Sequence, residues 1–283
     1  MALRPVKRLA KSKPTIEGAG VRLHRAFGFG NTSELDPFLL LDDFRGDAPA
    51  DYLAGFPWHP HRGIETITYI LAGTVKHGDS MGNRGIIGPG DVQWMTAGSG
   101  IIHQEMPKGD EAGRMYGFQL WANLPSALKM TAPRYQDIKA ADIPEIKEAD
   151  GTKIRIICGS FNGVKGPVDN IAADPMYLDV AVPSGRTKTI SVESTRQAFA
   201  YVFAGAGAFH DTSGPVANNR SLVVFDNGDE VKVRAGDEGV RFILVSGSPL
   251  REPVAWNGPI VMNTQEELRQ AFDELDKGTF LKN

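Results

Sequence analysis

The apolar positions of this chain fall in short runs of period two bounded by glycine and proline, a pattern that predicts strands over most of its length. The clearest are ETITYIL (65–71), GIIGPGDVQWM (85–95), MYGFQLWAN (115–123), KIRIICG (153–159) and MYLDVAV (176–182). Short strands divided by turns favour a sandwich or barrel, so an all-β fold is expected. Two stretches depart from the pattern. SALKMTAPRYQDIKAADIPEIKEADG (126–151) is charged and helix-compatible, and reads as a linker. Near the C-terminus, Thr264-Gln265-Glu266-Glu267 is a capping box, followed by Leu268, Ala271, Phe272 and Leu275 at helical spacing and by Gly278 as a stop. A short helix laying that apolar stripe on a barrel is expected.

An internal echo sharpens the architecture. Tyr69-Ile70-Leu71-Ala72-Gly73 is matched by Tyr201-Val202-Phe203-Ala204-Gly205, and each is followed by a histidine-containing pair, His77-Gly78-Asp79 and His210-Asp211. PGDVQWM has a looser counterpart in AGDEGVRFILVSG at 235–247. The reading is a duplicated β-barrel: residues 1–125, a linker over 126–150, and residues 151–283 carrying the terminal helix.

Composition removes several function classes. The 283 residues are 41% hydrophobic, with a formal net charge of -3. The basic group Arg4, Lys7, Arg8, Lys11 and Lys13 is expected to be a solvated arm, because no basic surface elsewhere points to nucleic acid. Cys158 is the only cysteine, so neither an internal disulfide nor a thiolate cluster can form. No stretch approaches a membrane span, and the basic N-terminus lacks an apolar signal core; a soluble, cytoplasmic protein is expected.

The chemistry concentrates in two motifs. In an extended strand, His59-Pro60-His61 puts both imidazoles on one face, and His103-Gln104-Glu105 does the same for an imidazole and a carboxylate. Composition alone gives about 0.13 occurrences of His-x-His, so two motifs using three of the six histidines point to a shared site. His59, His61, His103 and Glu105 form a three-nitrogen, one-carboxylate set suited to one divalent transition metal (Fe, Cu, Ni, Mn, Co or Zn) over Ca or Mg. Around the motifs, Phe56, Trp58, Trp94, Met95, Phe118 and Trp121 are available either to line a pocket or to pack the core. Residues 31–51 fit either a lid or a packed strand. The second repeat has Glu193-Ser194-Thr195-Arg196 where the first has its histidine pair, so the second barrel is expected to be metal-free, with His210 a surface histidine.

His59-Pro60-His61-Arg62-Gly63-x-Glu65-Thr66, Thr96-Ala97-Gly98-x-Gly100-x-x-His103-x-Glu105 and Gly258-Pro259-x-x-Met262-Asn263-Thr264 together resemble the pirin family of the cupin superfamily. The resemblance spans nearly the whole chain. It implies two tandem cupin barrels of the jelly-roll, double-stranded β-helix type, with Fe(II) held in the first by His59, His61, His103 and Glu105. Ordinary cupins take the carboxylate from the first motif, here Glu65. That residue shares parity with His59 and His61 if the strand is unbroken, and otherwise is a hydrogen-bonded carboxylate beyond a kink at Gly63. The resemblance also implies an activity: quercetin 2,3-dioxygenase, opening a flavonol ring with O2 and releasing CO, with Glu105 as general base. The alternative it implies is a non-enzymatic, iron-dependent redox sensor that binds a protein partner, as a transcriptional coregulator or a modulator of a metabolic enzyme.

Overall fold

The computed structural model describes residues 1–30, 32–210 and 215–282. It contains two compact units, Pro14–Ala140 with Leu250–Asn283, and Met1–Lys13 with Ala141–Pro249. Both are built from strands, and the first ends in a short helix at Gln265–Asp276. Among the described residues, no helix is long and apolar enough to cross a membrane.

The first unit holds a seven-stranded sheet ordered Arg134–Ile138, Val92–Thr96, Ile64–Ala72, Tyr116–Asn123, Phe38–Asp43, Val21–Phe27 and Lys13–Glu17. A four-stranded sheet runs Phe56–His61, Ile101–Lys108, Thr74–Asp79, Arg84–Ile87. The read strand GIIGPGDVQWM is thus two strands in different sheets. Pro89 and Gly90 (φ 83°) turn the chain between them. Asp91 locks that turn by accepting from the Gly88 and Ala140 amides at 3.0 and 2.8 Å.

The second unit is a nine-stranded sheet whose long members, Gln197–Ala208 and Glu230–Gly247, bend at register shifts. Its core is a cluster of branched and aromatic side chains, among them Ile154, Leu178, Val180, Val223 and Phe242. The repeated pentapeptides occupy matching strands: Tyr69 and Tyr201 are fully buried, and Gly73 and Gly205 both have positive φ. Cys158 is buried, with its Sγ 3.6 Å from the Val168 carbonyl.

Three features differ from the expectations. Val6–Lys11 is a strand paired with Ser221–Phe225, and Arg4 is buried, donating to the carbonyls of Glu193, Arg196 and Asp226, so the basic segment is not a solvated arm. The 126–150 stretch is no helical linker: Arg134–Ile138 pairs with Val92–Thr96, because Arg134, Gln136 and Ile138 alternate with Tyr135 and Asp137 in a way that suits an edge strand. The terminal helix belongs to the first unit rather than the second. Its capping box forms, and Leu268 and Ala271 bury against Ile260, Met262 and Phe280. Covering a side chain such as Leu268 contributes about 2 kcal/mol, and its partners Ile260, Met262 and Phe280 lie in that unit. The compact units therefore join both chain ends across the expected boundary at 151.

Candidate metal centre

His59 and His61 end the strand Phe56–His61, and His103 lies opposite His59 on the antiparallel strand Ile101–Lys108. The alternation of the two strands turns all three imidazoles to one face. One nitrogen from each ring lies within 4.8 Å of the others, and ring centroids are 4.4–5.1 Å apart. Directly after His61 the chain kinks at Gly63 (φ 77°), where a Cβ would stand 1.9 Å from the Val261 carbonyl oxygen. Only glycine fits there. The kink is clamped by Lys129, whose buried ammonium donates to the Gly63 carbonyl, the Asn123 side chain and the Val261 carbonyl at 2.7–3.0 Å. Arg62 faces the other way and is equally buried. It donates to the Ser99 carbonyl, Glu274 and the Phe280 carbonyl, and stacks on the Phe280 ring at 4.1 Å.

The polar bookkeeping of the three rings fits a cation. His59 and His61 place Nδ1 against the carbonyls of Pro57 and Pro259, at 2.9 and 3.2 Å. That fixes the proton on Nδ1 and leaves the two Nε2 lone pairs facing each other at 3.1 Å. His103 is 1% exposed, and neither of its ring nitrogens has a hydrogen-bond partner among the described residues. An unpaired buried polar group costs roughly 1–3 kcal/mol. Bare acceptors converging in this way suit a bound metal ion. Burial, then the neighbouring imidazoles, hold His61 and His103 well below the usual histidine range, so both are neutral at pH 7.

Glu105 is not among the mutually close ligand atoms. It follows His103 on the same strand face and borders a cavity that His59 and His61 also line, with its carboxyl accepting from the Thr68 hydroxyl at 3.1 Å. Burial pushes its carboxyl up to about 7 against that hydrogen bond. Glu65 takes the path beyond the kink: it accepts from Thr96 and Trp94 at 2.8 and 3.2 Å and does not border the cavity. Of the six apolar candidates, Phe56, Trp58 and Trp121 line the cavity, whereas Trp94, Met95 and Phe118 are core. The 31–51 segment contributes a fully buried strand, Phe38–Asp43, so packing rather than a lid explains its apolar part; Asn31, like Asp211 of the second histidine pair, lies outside the described residues. His210 contacts the Pro215 carbonyl at 3.3 Å.

The cavity, of about 440 Å³, opens beside His59 and His61. Trp121 meets the His61 ring edge-on at 5.0 Å. Its wall carries a feature that reading single strands missed. Asp137, Gln93, Thr68, Gln119, Asp42 and Arg25 are successive cross-strand partners, forming one polar row across six strands of the large sheet. Gln93 donates to Asp137 at 2.8 Å, Thr68 pairs with Gln119 at 2.7 Å, and Arg25 grips Asp42 through two bonds of 2.8 and 2.7 Å. A polar Gln119 between Phe118 and Leu120 was the available signal.

Known proteins extend this picture. The Pirin family profile matches residues 20–122, and the Pirin C-terminal cupin domain matches residues 177–281. A pirin-like protein of Caulobacter vibrioides is 46% identical over 99% of this chain and all of its own. Human pirin is 40% identical over 92% of this chain and 88% of its own. A crystal structure of quercetin 2,3-dioxygenase from Acinetobacter baumannii superposes with a TM-score of 0.91 at 33% identity, covering 99% of both chains. With both barrels matched and these relatives aligned almost end to end, the chain belongs to the pirin family.

Proposed function

We propose that the protein is a metal-dependent dioxygenase of the quercetin 2,3-dioxygenase type, cleaving a flavonol ring with O2 and releasing CO. The observation that carries this reading is the convergence of three neutral imidazoles, two of which, His59 and His61, line a cavity walled largely by apolar and aromatic side chains. The likeness to the Acinetobacter baumannii quercetin 2,3-dioxygenase supports it. In this reading His59, His61, His103 and Glu105 hold the ion, with Fe(II) expected. When bound, a redox-active metal with open positions supplies a centre for a substrate oxygen and for O2.

The chain's own residues supply the rest. Glu105, a carboxyl bordering the cavity, is placed to accept the proton of the flavonol hydroxyl, while Thr68 holds it in place. Phe56 and Trp121 give a flat ring an apolar surface and keep water from the reacting edge.

The test is oxygen uptake with CO detection on anaerobically Fe(II)-loaded protein given quercetin, beside Glu105→Gln. The variant is expected to lower turnover about 10²–10⁴-fold, the usual worth of a general base. No turnover by the parent, with iron bound and redox-active, would replace this reading with that of a sensor that shows its metal's charge state to a protein partner.

A further inference from the structure

The polar row lies inside the cavity for part of its length: Thr68, Gln119, Asp42 and Arg25 all border it, as does Glu105 beside Thr68. With neighbouring strands about 4.8 Å apart, Thr68 to Arg25 spans roughly 14 Å. That is comparable to the long axis of a three-ring planar aromatic. The cavity-lining members of the rows on either side are apolar. Two residues along the strands on one side come Trp121 and Leu40, and on the other come Gly117 and Phe44, with Leu23 beside them. Gly117 is required there, since a Cβ would meet the Phe44 ring at 2.5 Å.

A polar line between two apolar bands matches a flat ring system standing edge-on to the sheet. Its faces meet Trp121 and Phe44, and its hydroxylated edge meets the polar row. An aliphatic chain would leave the row unpaired, and a sugar would present hydroxyls to the apolar bands.

Within the row, two members are occupied with each other: Arg25 and Asp42 form a two-bond pair, extended by Glu17 at 2.8 Å from Arg25. Gln119 differs. One end of its amide meets Thr68, and the other end, partly exposed and bordering the cavity, has no hydrogen-bond partner among the described residues. A phenolic hydroxyl both donates and accepts, so it can pair with whichever amide atom faces inward.

We propose that the cavity selects planar aromatics carrying ring hydroxyls beyond the one that meets the histidine cluster, and that Gln119 is the residue that reads them. This rests on the flavonol reading above and adds to it a specificity-determining residue. Glu105 and the histidines meet one end of the ligand, while Gln119 meets its edge farther along the row.

The experiment compares quercetin with 3-hydroxyflavone, which keeps the flavonol core and lacks the other ring hydroxyls. Binding is followed by quenching of tryptophan fluorescence, since Trp58 and Trp121 line the cavity. The protein is loaded with Zn(II), which does not change oxidation state, so binding is read without turnover. The parent is expected to favour quercetin at least about tenfold, as one good hydrogen bond allows. Gln119→Met and Gln119→Leu, both of similar volume, are expected to bring that ratio below about threefold, chiefly by weakening quercetin. Thermal melts identify any variant that fails to fold, leaving the other to decide; if both fail, the parent's ratio for the two flavonols decides. A parent that binds both flavonols equally overturns the selection while leaving the flavonol reading standing. A parent that discriminates, with folded variants that still do, removes Gln119 from the role. A parent that binds neither flavonol overturns the flavonol reading and this inference together.

Discussion

His103→Ala should abolish tight metal binding while leaving the metal-free protein as stable as its parent, or slightly more so. Both effects have one cause. The imidazole is buried with neither nitrogen paired among the described residues, so it stores an unmet polar cost in the metal-free fold. Removing it deletes that cost and leaves a small void, two terms of similar size and opposite sign. Losing one of the three clustered imidazoles should weaken metal affinity by at least about 100-fold, if the binding free energy of such sites is shared roughly evenly among their ligands. Metal content after gel filtration and the melting temperature of the stripped protein check the two halves. His61→Ala should lose metal similarly. Global unfolding of the stripped His103→Ala protein would show that the imidazole holds the barrel together, and retained stoichiometric metal would exclude it from the site.

Arg62→Met should do the reverse, damaging stability first and the site second. The guanidinium is 2% exposed and joins three elements: the Ser99 turn, the helix residue Glu274 and the tail carbonyl of Phe280. Breaking a buried ion pair by removing one partner costs about 3–5 kcal/mol, and Glu274 at the helix surface can recover some solvent. A loss near 3 kcal/mol would lower the melting temperature by about 6–12 °C for a unit of this size. Metal affinity should fall about 10–100-fold as well, because the hairpin under the helix supplies the Pro259 carbonyl that orients His61.

The acid limb gives a second check. Burial alone would raise the Glu274 carboxyl, but hydrogen bonds from Lys282, Gln270 and Arg62 outweigh it and hold the group at about 2. A carboxylate depressed on folding contributes stability that is fully present above its unfolded value near 4.5 and is lost as pH falls toward 2. Arg62→Met should therefore flatten the acid dependence of stability within that window. An unchanged melting temperature would mean the helix is held by its apolar stripe alone.

What could be read from the residues alone is what depends on local periodicity and residue chemistry. Alternation within strands put His59 with His61 and His103 with Glu105, and the capping box at Thr264 defined the start of the helix, because both are settled within a few residues. The two-barrel plan was legible through the repeated Tyr-x-x-Ala-Gly strand. Long-range pairing was not. Val6–Lys11 joins a strand more than two hundred residues away, and the terminal helix returns to the first barrel, since an apolar stripe specifies that it must be covered without specifying by what. The polar row from Asp137 to Arg25 is invisible in any one strand, as each segment contributes a single residue and only the sheet register aligns them. The same holds at Gly63: the sequence contains the glycine, but the Val261 carbonyl that makes it indispensable arrives from the far end of the chain. Local pattern thus determined which residues offer ligating and proton-accepting groups, while tertiary packing decided which of them share a cavity and which, like Glu65, are hydrogen-bonded away from it.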